Sequence, residues 1–421
     1  MKKSLVALAT LAVAGGAMAQ VTLSGRASID LSSYQGINGT TAANDVVSRM
    51  RVADSGSRIT FSANENLGGG LKAGVYCETG INIDNGERTG QAGTVNASTN
   101  SFCSREGRGY FGNDLIEARL GRQNVFWTSG APDATGSNLA GSSISANLYG
   151  SGVGLYGTRL ENIFKLVGGK DFGAFAGSEI YVGYMQPPAA ANWIPGATGI
   201  SYANHTGESA SSANSGGGVN GFKLTYNSGP LNLMVDFQSY TKTATVTSVP
   251  FATAANVIAA PSVIANSFSG NATKYQLGYA LGGESIVSAQ YWTKSRTDET
   301  APTATFSNSS TGRKGNGSDS GWVVNYNHDF KNSWVGYAQY GKANNITGGP
   351  NGTEQVGTDA TAYTVGALKR FSKRTHIYGS YHNIANGTNI NYGMTGGSYG
   401  SASPSNGQMI TITALGMIHN F

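Results

Sequence analysis

The stretch GFKLTYNSGPLNLMVDFQSY, residues 221–240, decides the fold. Two alternating runs flank Asn227-Ser228-Gly229-Pro230, where glycine and proline turn the chain. Successive side chains of a strand point to opposite faces. Leu231, Leu233, Val235 and Phe237 therefore share one face, and Asn232, Asp236 and Gln238 the other. An apolar outer face and a polar inner face are expected of a transmembrane barrel wall, wetted by lipid on one side and water on the other.

The same pattern recurs in both directions. Before the hairpin come VTLSGRASIDL, SRITFSANENL, LKAGVYCETGINI, SFCSREGRGYFG, IEARLGRQ, TRLENIFKLVG and SEIYVGYM. After it come KYQLGYAL, SIVSAQYWTK, GWVVNYNHDF, SWVGYAQYGK, AYTVGALKRF, THIYGSYHN and MITITALGMIHNF. Tight turns such as Leu67-Gly68-Gly69-Gly70 and Asn113-Asp114 alternate with long polar connections, as in a barrel with short periplasmic turns and extended outer loops. The chain is read as all-β: an antiparallel transmembrane barrel of roughly sixteen strands, a size that encloses an aqueous channel. Closure is required, because an open sheet edge in hydrocarbon leaves backbone groups unsatisfied at several kcal/mol each. In the last strand Leu415, Met417, His419 and Phe421 share the outer face, with Phe421 as an aromatic terminal signal. Ile410 and Ile412 then point inward, which reads as a local irregularity.

Composition agrees. Gly is 61 of 421 residues, charged residues are 12%, and Tyr (21) and Phe (15) recur near strand ends, as aromatic girdles require. Met1-Lys2-Lys3, the apolar run Leu5–Val13 and Ala17-Met18-Ala19 make residues 1–19 a secretory signal peptide, leaving 20–421 as one barrel domain bound for the outer membrane. No later apolar run is long enough for a spanning helix. Without Lys2 and Lys3, 26 basic residues (28 − 2) face 23 acidic ones, too mild and dispersed an excess for nucleic-acid binding.

Residues 123–158, QNVFWTSGAPDATGSNLAGSSISANLYGSGVGLYGT, are nearly uncharged and have no sustained period. A connection this long in a compact domain is usually functional. It is expected to fold into the lumen and narrow it.

These features resemble the general porins of beta-proteobacteria. The resemblance is carried by SGSRITF followed by ENLGGGLKAG, LGRQ before the long loop, TRLEN after it, LKRFSKRTHIYG and the terminal GMIHNF. It implies a homotrimer of sixteen-stranded barrels in outer-membrane lipid, each with its third outer loop forming an eyelet. Ions and small hydrophilic solutes would diffuse through passively. By motif position it places Arg58, Arg105 and Arg159 in a constriction cluster, with Glu78 as a wall carboxylate. Parity agrees for two of them: with Ile59 and Phe61 facing lipid, Arg58 faces the lumen, and with Leu160, Phe164 and Leu166 facing lipid, so does Arg159. A midplane arginine on the lipid face would cost roughly 2–4 kcal/mol. Arg119 is a further lumen candidate by parity. The loop departs from the family pattern in offering only Asp133 as a carboxylate, so the balance favours anions. Phe126 and Trp127 are expected to pin the loop to the wall.

Cys77 and Cys103 lie on neighbouring strands in an exported chain, where disulfides are permitted. With Glu78 and Arg105 both facing the lumen, however, Cys77 faces out and Cys103 in, and a bond requires a bulge. Pairing stays open on the sequence. Residues 243–269 read as an unusually apolar outer loop. No cofactor or metal is expected: NIDNGE at 82–87 lacks calcium-loop spacing, and GSGVG at 150–154 lacks the context of a phosphate loop. An enzyme is not expected, since the five histidines join no nucleophile–base–acid set. A substrate-specific channel, and more remotely a barrel enzyme or an adhesin, are the rival readings.

Overall fold

The computed structural model describes residues 20–40, 45–54, 56–84, 102–125, 144–149, 159–185, 217–248, 262–298, 317–348, 353–393 and 405–421. The proposed signal peptide (1–19), Phe126, Trp127, Asp133 and most of the 123–158 loop lie outside these residues.

Sixteen antiparallel strands form one closed wall. They are β1 (Gln20–Ile37), β2 in two segments (Val46–Asp54 and Arg58–Gly68), β3 (Leu71–Gly80), β4 (Glu106–Gly112), β5 (Ile116–Asn124), β6 (Arg159–Gly168) and β7 (Glu179–Met185). Then follow β8 (Gly217–Ser228), β9 (Leu231–Ser248), β10 (Ser262–Gly282), β11 (Ser285–Asp298), β12 (Gly317–Asp329) and β13 (Trp334–Ala343). The last three are β14 (Ala360–Arg370), β15 (Thr375–Asn386) and β16 (Met409–Asn420). A small hairpin, Ile346–Gly348 with Thr353–Gln355, rises between β13 and β14.

The barrel closes where β1 pairs with β16, from Arg26↔Asn420 to Ile37↔Met409. Phe421 completes the seam: Gly25 donates its N–H to the Phe421 carbonyl (2.9 Å) and accepts from the Phe421 N–H (3.0 Å). The Phe421 ring lies over Gly25, where a Cβ would come within 2.4 Å of it.

Alternation is kept through most of the wall. In β9 Asp236 and Gln238 are buried on the inner face while Leu233 is exposed on the outer one. In β5 Leu120 and Ile116 are exposed outward. The high glycine content has a packing role here. Tyr110, Tyr181, Tyr240, Tyr337 and Tyr378 stand directly across the ladder from Gly74, Gly221, Gly270, Gly366 and Gly416. At each of those glycines a Cβ would come within 2.6 Å of the tyrosine ring or hydroxyl, so the ring lies flat on the partner strand.

Four expectations need correction. The strand expected to contain Cys103 starts only at Glu106, and residues 102–105 turn instead, with Cys103 in the left-handed region (φ 66°). Leu160 does not face lipid: Asn162, at φ 56°, breaks the alternation, and Leu160 is buried with Ile163 and Tyr181 while Phe164 stays exposed. The described ends of the 243–269 segment, 243–248 and 262–269, are wall and not loop, because β9 and β10 pair out to Ser248↔Ser262; residues 249–261 lie outside the described residues. Finally, Ile410 and Ile412 do face inward, but as parts of buried apolar clusters.

Candidate constriction site

One cluster forms where β1 to β4 meet. The break in β2 is built by Asp54, whose Oδ1 accepts the N–H groups of Gly56 (2.7 Å) and Ser57 (2.9 Å), with Gly56 at φ 88°. This turn restarts the strand with Arg58 facing in, across from Arg26. Glu78 projects inward from β3 and is almost fully buried. Arg105 donates Nε to Glu78 Oε1 at 2.5 Å, Tyr76 donates its hydroxyl to Oε2 at 3.1 Å, and Arg58 Nε lies 3.5 Å from Oε2. Arg159 has Arg105, Glu78 and Glu106 among its electrostatic neighbours. Glu106, opposite Glu78 in register, pairs with Arg108 and accepts from Asn124, and the Arg108 guanidinium lies 4.0 Å from the Tyr76 ring centroid. Among the described residues, Arg26, Arg58, Arg105, Arg108, Arg122 and Arg159 thus gather around Asp54, Glu78 and Glu106, six cations against three anions.

The structure therefore brings Arg58, Arg105, Arg159 and Glu78 together and leaves Arg119 apart. Arg119 faces inward as parity requires, but it pairs with Glu117 at 2.6 Å. Along the ladder it stands level with Tyr110 and Gly74, four residues from Glu78 and roughly 13 Å towards the short-turn rim.

Cys77 and Cys103 are joined, with Cα atoms 4.7 Å apart. The obstacle from parity disappears because Cys103 is not in a strand. It folds over Gly107, the ladder partner of Cys77, on the outer face, and Phe102 packs on Phe61 with ring centroids 5.2 Å apart. Arg105, two residues on, turns back inward.

The opposite wall carries charges that sequence reading missed. Glu179 accepts from Lys165 and Lys223, both at 2.6 Å. Glu179, Lys223, Asp236 and Lys274 are successive ladder partners across β7 to β10, an inward row of alternating sign. Beside it lies α1 (Ile144–Tyr149), the described part of the long loop. Leu148 and Tyr149 are buried among Trp292, Val323, Ala362, Ile384 and Ile410. Tyr149 meets inward-facing Trp292 edge-on at 5.9 Å, its carbonyl accepts from Lys294, and Lys274 stands 5.1 Å from its ring. Lys294 also pairs with Asp319 at 3.3 Å. α1 follows β5 in the chain and packs on the inner faces of β11 to β14.

A closed wall with lipid-facing apolar residues outside and charged clusters inside defines an outer-membrane channel-type barrel. The family profile described as Gram-negative porin matches residues 4–389, and the chain belongs to that family. Among curated relatives, outer membrane porin protein 32 of Delftia acidovorans is 42% identical over 130 residues, covering 30% of this chain and 32% of that protein. The major outer membrane protein P.IB of Neisseria gonorrhoeae is 40% identical over 84 residues, covering 20% of this chain and 24% of that protein. These matches span about a third or less of the curated relatives. Among solved structures, an anion-selective porin from Comamonas acidovorans aligns at TM-score 0.62 and 18% identity, over 96% of this chain and 100% of that one. OmpT of Vibrio cholerae, in trimer form, aligns at 0.57 and 12%, over 96% and 99%. At these identities the structural likeness concerns the fold.

Proposed function

We propose that the protein is a passive diffusion pore for ions and small hydrophilic solutes, that the 123–158 loop and the Glu78-centred arginines narrow it, and that it prefers anions weakly. The observation that carries this reading is the six-to-three excess of guanidinium over carboxylate around Glu78 among the described residues. It faces a lumen that α1 enters from the other side. Rings of arginine favour anions. The opposite row alternates in sign and adds little net field. That alternation also favours a general pore over a substrate-specific channel, which would need a track of like charges or aromatics. Family membership favours a channel over an enzyme. Ser380 Oγ does lie 2.8 Å from His382 Nε2, but Nδ1 meets the Thr364 hydroxyl where a catalytic set would need a carboxylate.

The assembly is a homotrimer. Supporting this are an apolar groove on the outer face at the seam, lined by Ile29, Leu31, Val52, Ile377, Leu415 and Met417, and the trimer form named for one structural neighbour. The test is a planar bilayer with purified protein under a KCl gradient. Openings in threes with a chloride-favouring reversal potential support the proposal. A cation-favouring potential overturns the charge assignment, and saturable solute flux would favour a specific channel.

A further inference from the structure

The short-turn rim of the barrel is unevenly charged. Two of its turns, Leu67-Gly68-Gly69-Gly70 and Ser228-Gly229-Pro230, carry no ionised side chain, and the turn Gly283-Glu284 between β10 and β11 carries one carboxylate, which Arg370 takes up. At the β4–β5 turn Lys72 and Lys170 are both taken up by Asp114, at 3.1 and 2.8 Å, and their hydrogen bonds hold its carboxyl below the usual range. The two neighbouring turns that follow β12 and β14 differ. They present Lys331, Lys373 and Arg374, all exposed, with Lys369 beside them. Arg370 faces the other way, into the barrel, where Glu284 holds it.

These cations lie next to aromatic residues on the outer face. Phe330, Trp334 and Phe371 are 61%, 45% and 65% exposed. Lys369 is the ladder partner of Trp334; its ammonium stands 5.4 Å from the Trp334 ring centroid and donates to the Asn332 carbonyl, so it reaches along the wall towards the turn. Lysine behaves this way at a membrane interface, with its stem in the apolar layer and its charge at headgroup level. Trp322, paired with Tyr340 at 5.6 Å, marks the other edge of the apolar band. Eight residue steps separate Trp322 in β12 from Phe330 just beyond it, roughly 26 Å along the strand. At a tilt near 40° that is about 20 Å of height, most of an apolar band of about 25 Å.

We propose that this rim, between the turns after β12 and β14, is a docking site for an anionic phospholipid of the periplasmic leaflet. Lys331, Lys369, Lys373 and Arg374 would take its phosphate headgroup, and Phe330, Trp334 and Phe371 its upper acyl chains. A soluble acidic partner would use the charges but not three rings aimed at hydrocarbon. Each basic side chain near an anionic lipid surface multiplies occupancy about fivefold.

The test uses full-length protein in phosphatidylcholine vesicles containing, at equal mole fraction, brominated phosphatidylglycerol or brominated phosphatidylcholine. The fluorescence lost between wild type and Trp334→Phe isolates Trp334. Brominated phosphatidylglycerol should quench it several-fold more effectively, and the preference should shrink stepwise as Lys331→Gln, Lys373→Gln and Arg374→Gln are combined. Lys170→Gln should change nothing. Equal quenching by the two lipids in the wild type overturns the site, as does a preference undiminished when Lys369→Gln is added to the triple substitution. Native mass spectrometry of the wild type gives a variant-free reading: selective retention of phosphatidylglycerol supports the site, and equal retention of both lipids overturns it.

Discussion

Arg105 is bound to Glu78 twice: its backbone N–H donates to the Glu78 carbonyl at 2.9 Å, and its Nε donates to the carboxylate at 2.5 Å. The guanidinium is therefore positioned by the register of β3 although Arg105 itself precedes β4. Glu78 also offsets part of the positive field it organises. Replacing it with glutamine should strengthen the anion preference. A unit charge about 5 Å from a permeating ion is worth roughly 0.8 kcal/mol at the dielectric of water, about fourfold for each ion. Chloride and potassium respond in opposite senses, so their permeability ratio changes by roughly fifteenfold. Arg58→Gln and Arg105→Gln should move the ratio the other way by a similar factor. Reversal potentials under a KCl gradient measure all three, and a cation-ward shift in Glu78→Gln would sink the assignment.

The Cys77–Cys103 bond holds the turn from which Arg105 points inward. Cys103 is further fixed by its N–H donating to Thr79 Oγ1 at 3.0 Å. The strand pairing around it does not depend on the bond, so a Cys77→Ser/Cys103→Ser protein should fold to the same heat-modifiable barrel. It should lose about 2 kcal/mol or less of stability, the low end for a disulfide. Its current should be noisier and its chloride preference smaller, because Arg105 is held only by Glu78. The unreduced wild type should be lighter than the reduced protein by two hydrogens. An unbridged mass would end the argument.

Much of the wall could be read from the period of two alone, since Asp236 and Gln238 point inward because Leu233 and Val235 cannot. The reading failed wherever one residue left the extended region. Asn162 and Cys103 both have positive φ, and neither announces it, because each lies in an ordinary alternating run. Ile410 looked like an error of pattern because its inward partners, Leu148 and Tyr149, come from a loop with no period of its own. The row Glu179–Lys223–Asp236–Lys274 was invisible for another reason: each member obeys parity, but alignment across four strands depends on turn lengths and bulges that composition does not fix. Arg119 shows the same limit. Parity gave its face, while its height along the pore followed only from register.

The tyrosine-on-glycine pairs predict a packing cost. Tyr378 lies on Gly416 and donates its hydroxyl to Asp30 Oδ2 at 3.1 Å across the seam. A methyl group at Gly416 would come within 2.4 Å of the ring and lift it from that bond. Gly416→Ala should destabilise the barrel by roughly 1–3 kcal/mol, the range for overpacking a tight contact. Gly379, with nothing within 4 Å of an added Cβ, should accept alanine with little loss. Thermal unfolding followed by electrophoretic mobility compares the two, and equal stability would mean that the ring does not need the glycine.

Lys294 is the strongest attachment of α1 to the far wall. It is nearly fully buried, pairs with Asp319, and donates to the Tyr149 carbonyl, while Trp292 on the same inner face receives the Tyr149 ring. A hydrogen bond from a charged donor contributes about 1.5–3 kcal/mol net. Without it the helix loses its charged anchor, and its apolar contacts with the cluster around Ile410 carry more of the attachment. Lys294→Met should therefore let the loop move: single-channel conductance should become more variable, and brief closures under voltage should become about tenfold more frequent, the factor that corresponds to a loss near 1.4 kcal/mol. Lys294→Arg keeps both charge and donor and should restore steady current. A general loss of wall stability would lower the unfolding temperature of Lys294→Met in proportion to its closures, whereas release of the loop alone leaves the barrel's unfolding temperature nearly unchanged. If Lys294→Met conducts as steadily as the wild type, the apolar cluster alone holds the loop and the ammonium has no part in keeping it there.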